Sequence, residues 1–472
     1  MCYIKYYKIK EKSTLDFSNR KNYCIITDRK KGIIMINKPK GTVDLTDKRA
    51  RTWKYVEEVI DSVMEKYNYN YIRTPIFEST ELFHRGIGDS TDIVTKETYD
   101  FKDRGDRSIT LRPEGTAGVV RSYIENKMYG THNLPVKVYY NGTMYRYERP
   151  QKGRLRELSQ YGVEVMGSSD PMMDAEVISL AYNINKMLGL TDTVVHINSL
   201  GDKESRDKYR EALKDYFKPH LEDLCDDCKE RFDKNPLRII DCKVDSNKDY
   251  FKDAPNILDY LSVESKEHFE KVCEYLDLLE VKYEIDPKIV RGLDYYNHTV
   301  FELMTENSNL ALGGGGRYDN LVTMLDGPET PCVGYAVGLD RLVDEIIERD
   351  IENIRDDIDA FIMYVNEDEK KNAIYLANEL RMSGFVVETE YTKRSLKSQF
   401  KRADYFNSKY LILLNSDDLN EGLITIKNNK TKEEEKIMME YIIYYFDEHI
   451  SDDNLPIDLE GHNHDEGGIS DE

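Results

Sequence analysis

The sequence predicts an α+β protein with more than one domain, in which an antiparallel sheet with a helical insertion precedes a smaller α/β domain. Two segments within residues 136–167 alternate apolar and polar side chains and flank a polar loop, 150–157, as two paired strands do. Residues 200–280 follow a highly charged helical pattern instead. From residue 357 onward, short apolar runs alternate with helical stretches, which indicates a separate α/β domain.

Length and composition restrict the class of protein. A chain of 472 residues is too long for a single hydrophobic core. Its 33% of charged residues and the lack of a long apolar run predict a soluble protein that does not span a membrane. Seven cysteines, without the pattern of a secretory signal, favour free thiols and a cytoplasmic location. The net charge of −22 argues against non-specific nucleic-acid binding over the whole surface, but it is compatible with a local basic patch.

The individual elements can be predicted from their periodicity. Apolar side chains recur at helical spacing between Asp47 and Tyr67, and an extended segment ending at Pro75 follows. A run of four glycines, 313–316, either lets the backbone approach a ligand or forms a hinge. In the last domain, we predict strands at 361–365, 386–390, 410–414 and 423–427 and helices at 367–384, 395–407 and 433–447.

Two strands carry candidate binding residues. Period-2 alternation around Tyr145 places Arg146 and Glu148 on one face, where they could hold a phosphate and an amino group. The alternative is an Arg–Glu ion pair facing solvent. On the returning strand, Gln160, Gly162 and Glu164 share a face, so a small ligand could lie over the glycine. The alternative is the solvent face of an edge strand.

Several motifs then occur in the order found in one family. The first two are Tyr145-Arg146-Tyr147-Glu148-Arg149-Pro150 and Arg291-Gly292-Leu293-Asp294-Tyr295-Tyr296, and a Gly-rich run at 312–319 and Gly338-Leu339-Asp340-Arg341-Leu342 follow them. In this order they resemble the histidyl-tRNA synthetases, a family of class II aminoacyl-tRNA synthetases. The sequence lacks the glycine fingerprints of other nucleotide-binding folds, which agrees with an antiparallel class II core.

The resemblance implies domains, and it implies a homodimer held through the first helix and strand. It predicts an N-terminal extension at 1–36, a class II catalytic domain at 37–350 with the helical insertion, an anticodon-binding α/β domain at 357–448, and an acidic tail at 451–472. The tail has eight acidic residues and no basic one, so we expect it to be disordered.

The resemblance also implies a reaction and its residues. Histidine would be activated by ATP, accompanied by Mg²⁺, and transferred to tRNA(His). The implied catalytic residues are Arg146 and Arg291. The implied histidine-binding residues are Glu114, Gly115, Thr116, Gln160, Glu164, Tyr295, Tyr296 and Tyr318. The implied ATP-binding residues are Arg146, Glu148, Arg154, Gly338 and Arg341.

One feature departs from the family pattern, and one rival function remains. Asn297-His298 stands where the family usually has Thr-Gly, so the turn after Tyr296 is expected to differ in shape or flexibility. A rival is a non-catalytic relative, such as the synthetase-like regulatory subunit of ATP phosphoribosyltransferase. The presence of Arg146, Arg291 and Arg341, together with the last domain, argues against it.

A basic cluster and a cysteine cluster each have a functional interpretation and one that requires no ligand. Arg394, Lys397 and Lys401 could contact the phosphates of tRNA, or they could form a solvated helix face. Cys225, Cys228 and Cys242 have spacing similar to that of zinc ligands, and His220 or Cys273 could be the fourth ligand. Because that fourth ligand is ambiguous, we predict free thiols and no metal.

Overall fold

The structure is a computed structural model that describes residues 25–27, 33–88, 91, 93–130, 133–150, 153–306, 311–351 and 357–450. Most of the predicted N-terminal extension and all of the acidic tail lie outside the described residues. None of the helices in these ranges is long and apolar enough to cross a membrane.

The strands form a large antiparallel core and two smaller sheets, besides a two-stranded N-terminal ribbon. In chain order, they are β1 Ile25–Thr27, β2 Ile33–Met35, β3 Asn70–Tyr71, β4 Phe77–Ser79, β5 Tyr99–Lys102, β6 Ser108–Leu111, β7 Val136–Tyr145, β8 Glu157–Met166, β9 Thr193–Ser199, β10 Tyr283–Ile285, β11 Asn297–Thr305, β12 Gly313–Arg317, β13 Cys332–Gly338, β14 Ala360–Tyr364, β15 Val387–Thr389, β16 Tyr410–Leu414, β17 Leu423–Asn428 and β18 Glu434–Met438.

The helices pack on the faces of these sheets or form the insertion. They are α1 Asp47–Lys66, α2 Thr80–Ile87, α3 Thr116–Glu125, α4 Pro171–Met187, α5 Lys203–Phe217, α6 Asp226–Lys234, α7 Leu237–Ile240, α8 Val263–Leu278, α9 Leu321–Met324, α10 Leu339–Glu348, α11 Lys370–Met382, α12 Leu396–Tyr405, α13 Ser416–Asn420 and α14 Ile442–His449. Short 3₁₀ segments connect several of them, and a π-helical turn covers Ile93–Glu97.

The core is an eight-stranded sheet in the order β10-β9-β11-β12-β13-β8-β7-β3. Its pairs are antiparallel except at the two edges, where β10 pairs parallel to β9 and β3 pairs parallel to β7. The apolar stripe of α1, which includes Trp53, Val56 and Ile60, is buried with α4 and α10 against one face of the sheet. The predicted α+β fold with an antiparallel core is confirmed.

Three details of the core correct the sequence interpretation. Strand β7 ends at Tyr145, so Arg146 and Glu148 lie in the segment after the strand and not within it. Strand β8 pairs with β7 on one side and β13 on the other, so it is an interior strand and not an edge strand. The glycine run is no hinge, because it forms β12 between β11 and β13, where a Cβ on Gly315 would lie 2.0 Å from the carbonyl oxygen of Gly334.

The C-terminal domain is a five-stranded mixed sheet in the order β15-β14-β16-β17-β18. The predicted helix at 433–447 was wrong in its first part, since Glu434–Met438 form β18 and α14 begins only at Ile442. Strand β18 is a mostly exposed edge strand paired with β17. Its polar sequence, Glu-Glu-Lys, carries no alternation from which a strand could be recognised, and the hairpin pairing decides its conformation.

Candidate active site

A cavity of about 400 Å³ lies at the sheet, between the loop that carries Arg291 and the segment after β7. Most of the predicted site residues line this cavity, namely Glu114, Thr116, Arg146, Glu148, Arg154, Gln160, Arg291, Tyr295, Tyr296, Gly338 and Arg341. Gly115, Glu164 and Tyr318 lie directly behind the lining residues. Residues as far apart in the sequence as Glu114 and Arg341 therefore meet at one cavity.

One part of the site, which we call the carboxylate end, consists of Glu114, Thr116, Tyr140, Glu164 and Tyr318. The Thr116 hydroxyl donates to Glu164 Oε1 over 2.6 Å, and the Tyr318 hydroxyl donates to Glu164 Oε2. Only 1% of Glu164 is exposed, and burial raises the pKa of its carboxyl group to about 8. Burial therefore favours the protonated form of this carboxyl group, whereas the two hydroxyl donors favour its ionised form.

The second carboxylate of this end is fixed by the backbone. Glu114 Oε2 accepts from the amide of Thr116 over 2.7 Å, and Oε1 accepts from the amide of Ala117 over 2.9 Å. These amides belong to the first turn of α3, whose N–H groups otherwise have no helical partner. Burial raises the pKa of Glu114 in spite of these bonds. Glu114 thus caps a helix and also lines the cavity.

The gap predicted over Gly162 is filled by Tyr140, a residue that the sequence interpretation missed. Tyr140 on β7 pairs with Gly162 on β8. A Cβ on Gly162 or on Gly115 would lie 2.4 Å from its ring, so the ring is held between the two glycines. The ligand space is therefore beside the ring and not over Gly162. A glycine directly opposite an aromatic residue in the β7–β8 hairpin was the signal that could have revealed this.

Arg291 lies in the wall of the cavity next to Tyr296. Its Nη1 donates to Glu302 on β11, and its guanidinium carbon lies 5.8 Å from the centre of the Tyr296 ring. A Cβ on Gly314 would lie 2.9 Å from the same Nη1 and only 2.4 Å from the carbonyl oxygen of Phe301, and this backbone contact explains why a glycine is needed there. Burial by itself would lower the pKa of Arg291, but Tyr296 and Glu302 outweigh it, so the net shift is upward.

The opposite part of the site, which we call the arginine end, consists of Arg146, Glu148, Arg154, Gly338 and Arg341. The residues contact one another and backbone carbonyls: Arg146 Nε donates to Pro113 O over 2.9 Å, Arg341 Nη1 donates to Ala311 O over 2.7 Å, and Arg154 Nη1 lies 3.4 Å from Glu148 Oε2. Among the described residues, Glu148 therefore forms its ion pair with Arg154 and not with Arg146. Three guanidinium groups converge on this end, and the nearby Arg154 adds to burial in lowering the pKa of Arg341.

Gly338 is the N-cap of α10 and forms an open floor of the arginine end. The nearest atom to a Cβ built on it is Leu312 O at 3.9 Å, so a side chain would extend into the cavity without meeting the protein. A flat ligand group could therefore lie directly on this backbone. Arg341, two residues into the helix, faces the same space.

The segment after Tyr296 is not a turn but the irregular start of β11, where the register with β12 shifts between Asn297 and Val300. Its backbone is glycine-like although it carries a histidine. His298 has φ of +44°, in the left-handed region that favours glycine. Its N–H donates to Gly201 O over 3.0 Å, and its carbonyl accepts from the amide of Leu200 over 2.7 Å. These bonds to the start of the insertion hold the first residues of β11 in place.

The basic residues of the last domain lie apart from the cavity. Arg394, Lys397 and Lys401 are all exposed. Helix α12 begins at Leu396, so Arg394 precedes it, and the prediction that all three share a helical face was wrong for this residue. Lys397 and Lys401 are four residues apart and do lie on one face of α12.

The fold is that of the class II aminoacyl-tRNA synthetases, as comparison with known proteins shows. A family model described as Histidyl-tRNA synthetase matches residues 41–342, and one described as Anticodon binding domain matches 359–449. The histidine–tRNA ligase of Staphylococcus haemolyticus is 48% identical over 420 residues, which are 88% of this chain and 99% of the relative. The chain therefore belongs to the histidyl-tRNA synthetase family.

Other relatives agree with this assignment. The histidine–tRNA ligase of Anoxybacillus flavithermus is 49% identical over 410 residues, 86% of this chain and 97% of the relative. The crystal structure of apo histidyl-tRNA synthetase from Staphylococcus aureus matches with a TM-score of 0.74 and 42% identity, over 87% of this chain and all of that one. A protein from Bacillus halodurans described as an ATP phosphoribosyltransferase regulatory subunit/histidyl-tRNA synthetase shares only the fold, at 22% identity and a TM-score of 0.57 over 78% of this chain and 97% of that one. The identities therefore favour the synthetase over the regulatory relative.

Proposed function

We propose that this chain activates L-histidine with ATP and transfers it to tRNA(His). The observation that carries the proposal is the cavity itself, in which a buried carboxylate end and an arginine end flank Arg291 within a chain of this family. The histidine carboxylate oxygen would attack the α-phosphorus of ATP and release diphosphate. A ribose hydroxyl at the 3′ end of the tRNA would then attack the carbonyl carbon and release AMP.

At the carboxylate end, the polar groups suit the histidine side chain and its α-ammonium group. Glu164 and Tyr296 would contact the two imidazole nitrogens, which differ in their donor and acceptor roles. Since both oxygens of Glu164 already accept hydroxyl protons, one of these bonds must rearrange as the ligand binds. Glu114, Thr116 and Gln160 would accept from the α-ammonium group. Gly115, Tyr295 and Tyr318 would complete this part of the site.

Arg146 and Arg291 would act at the reacting groups. A carboxylate and a phosphate repel each other, and the negative charge increases in the transition state. Two guanidinium groups that remain charged and are held by Pro113 O and Glu302 can stabilise that charge without rearranging. Removal of one such preorganised donor typically costs about 10² to 10³ in rate.

The arginine end would hold the rest of ATP. Glu148 would accept from the adenine amino group, Gly338 would lie under the base, and Arg154 and Arg341 would bind phosphate oxygens. Mg²⁺ would arrive with the nucleotide as part of the substrate and neutralise its phosphates. The carbonyl bonds that now hold Arg341 can be replaced by bonds to phosphate oxygens.

Binding of tRNA would involve the last domain. The support is its match to an anticodon-binding domain and the exposure of Arg394, Lys397 and Lys401. Single substitutions of these residues to Ala should weaken tRNA binding and reduce its dependence on salt. Histidine activation without tRNA should not change.

The location we propose is cytoplasmic, where tRNA is used.

A homodimer is also part of the proposal. Ile76, Phe77 and Phe101 belong to or adjoin the three-stranded sheet β4-β6-β5 and are exposed by 40 to 57%. An exposed apolar group of this kind is typical of a protein interface. Light scattering should give the mass of a dimer for the wild type and a lower mass for Phe77→Glu. A monomeric wild type at micromolar concentration would contradict this part.

The first experiment is ATP–diphosphate exchange by the purified protein, scanned across the twenty amino acids without tRNA. We expect exchange with histidine alone, and a loss of about 10³-fold or more in Arg291→Ala. Arg349→Ala is a matched control, because Arg349 also pairs with carboxylates but does not line the cavity. Exchange with no amino acid, from folded protein that still binds histidine, would favour the regulatory relative.

A further inference from the structure

The insertion contains a cluster of four potential metal ligands that the proposed reaction does not use. The cluster consists of Cys225, Cys228, Cys242 and Asp245, and one ligand atom from each lies within 4.8 Å of all the others. From this geometry, we propose that the insertion holds one structural Zn²⁺ ion with three thiolates and one carboxylate as ligands. This revises the expectation of free thiols.

The separations match a tetrahedral site. Cys225 Sγ and Cys242 Sγ lie 3.7 Å apart, and Cys242 Sγ lies 3.8 Å from Asp245 Oδ2. A tetrahedral ion with Zn–S bonds of about 2.3 Å separates two sulfur ligands by about 3.8 Å and a sulfur from an oxygen by about 3.5 Å. The four atoms can therefore bind one ion after small shifts of the side chains.

The two fourth ligands considered from sequence lie elsewhere. The His220 ring stacks on Tyr250 with ring centres 4.0 Å apart, and Cys273 lies on α8, packed against the core of the catalytic domain. Neither is among the clustered ligands in the described part of the chain. Asp245 takes that place because the chain turns back after Cys242, and its carboxylate accepts from the amide of Cys225 over 2.9 Å.

Two backbone features can support thiolate ligands, against burial and the neighbouring Asp245, which raise the pKa of Cys225 and of Cys228 when no ion is bound. Cys225 is the N-cap of α6 and Cys228 lies in its first turn, where the helix dipole stabilises thiolates. The amide of Asp245 donates to Cys242 Sγ over 3.4 Å, as outer-shell groups do in metal sites. Three thiolates, a carboxylate and Zn²⁺ carry a net charge of −2, and Lys248, 2.8 Å from Asp245, offsets part of it.

The cluster lies in the hydrophobic core of the insertion, next to the loop that carries Arg291. Cys228 and Cys242 are part of the hydrophobic core of the insertion, against which Val290 also packs. Val290 precedes Arg291, and Asp241, next to Cys242, lines the cavity. Asn235 lies between Cys228 and Cys242 in the sequence, and its Nδ2 donates to Asp294 Oδ1 over 3.1 Å. An ion here would hold the segment from α6 to Cys242 against the Arg291 loop.

The test is the metal content of the full chain, purified without a metal-affinity tag and under reducing conditions. We expect one zinc per chain by elemental analysis, and at least about a tenfold lower content in Cys228→Ser and in Asp245→Ala. Cys273→Ser is the matched control and should keep its zinc. Replacement of zinc by Co²⁺ should give a thiolate-to-metal charge-transfer band and the strong visible bands of tetrahedral cobalt.

Thermal unfolding with and without a chelator tests the proposal on proteins that keep all four ligands, so it does not depend on whether the ligand variants fold. Chelation of the wild type and of Cys273→Ser should lower Tm equally, and zinc should restore it. A wild type that contains no zinc, takes up no Co²⁺ and melts identically with chelator would overturn the proposal. A Cys225–Cys242 disulfide in protein purified without reductant, with no bound metal, would overturn it as well. These readouts are independent of histidine activation.

Discussion

The two ends of the cavity are built in opposite ways. At the carboxylate end, Glu164, Tyr318 and Tyr140 are at most 4% exposed, and hydroxyl groups already occupy both oxygens of Glu164. At the arginine end, the Arg154 side chain is 40% exposed, and Arg146 and Arg341 are held by backbone carbonyls. The buried end is suited to select one small ligand by matching its polar groups, because unmatched buried groups are costly. The open end is suited to exchange carbonyl bonds for phosphate bonds.

Among the comparisons of the two ends, the largest effect is expected from removing one carboxylate at each end with the same substitution. Glu164→Gln should lower kcat/KM for histidine by about 10²- to 10³-fold, because an amide cannot serve as an anionic acceptor for the imidazole. Its KM for ATP should not change. Glu148→Gln should do the reverse and raise the KM for ATP by about tenfold. Steady-state exchange kinetics measure both, and equal effects of either substitution on both substrates would abolish the distinction between the ends.

The pH dependence of stability tests the burial of the carboxylate end. Glu164 has a folded pKa of about 8 against an ordinary value of 4.5, so the fold binds its proton more tightly than the unfolded chain. Its contribution to stability is fully present below the ordinary pKa and is lost as pH rises through about 8. Between about pH 5 and 8, the unfolding free energy of the wild type should fall by up to a few kcal/mol relative to Glu164→Gln. Parallel profiles from denaturant titrations would contradict this.

Two glycines offer a steric comparison of the ends. In Gly162→Ala, the new methyl group would lie 2.4 Å from the Tyr140 ring, which Gly115 confines from the other side. We expect a loss of about 1–3 kcal/mol in unfolding free energy and weaker histidine binding. In Gly338→Ala, the methyl group meets only Leu312 O at 3.9 Å, so stability should stay within about 0.5 kcal/mol while the KM for ATP rises. Destabilisation by both substitutions would show that the arginine end is as tightly packed as the other.

The smallest effect is expected at His298, at the irregular start of β11 that follows Tyr296. His298→Gly removes a left-handed strain of about 1–2 kcal/mol but adds about 0.5–1 kcal/mol of backbone entropy loss on folding. Because the backbone bonds to Gly201 and Leu200 remain, Tm and the KM for histidine should change little. His298→Ala keeps the strain and is the control. A large rise in the KM for histidine in both variants would show that the imidazole restrains Tyr296, and a rise in His298→Gly alone would show that the restricted backbone does so.

Sequence motifs and tertiary structure contributed differently to the site. Arg146, Arg291, Glu114 and Gly338 were named from motifs that resemble those of one family, and all four line the cavity. Tyr140 could not be named in this way, since its importance follows from cross-strand pairing with Gly162, which depends on the register between β7 and β8. Asp245 was missed for a similar reason, because only a turn of the chain brings it to the cysteines.

By itself, the sequence determined the class of fold, the order of the elements and the identity of most residues around the cavity. Periodicity is a local property, so α1, β8 and the strands β14, β16 and β17 could be predicted from it. The tertiary structure alone decided which face of a strand is buried, that β18 is a strand, and which side chains fill the space next to the cavity. Those outcomes depend on contacts between residues far apart in the chain, and local pattern does not encode them.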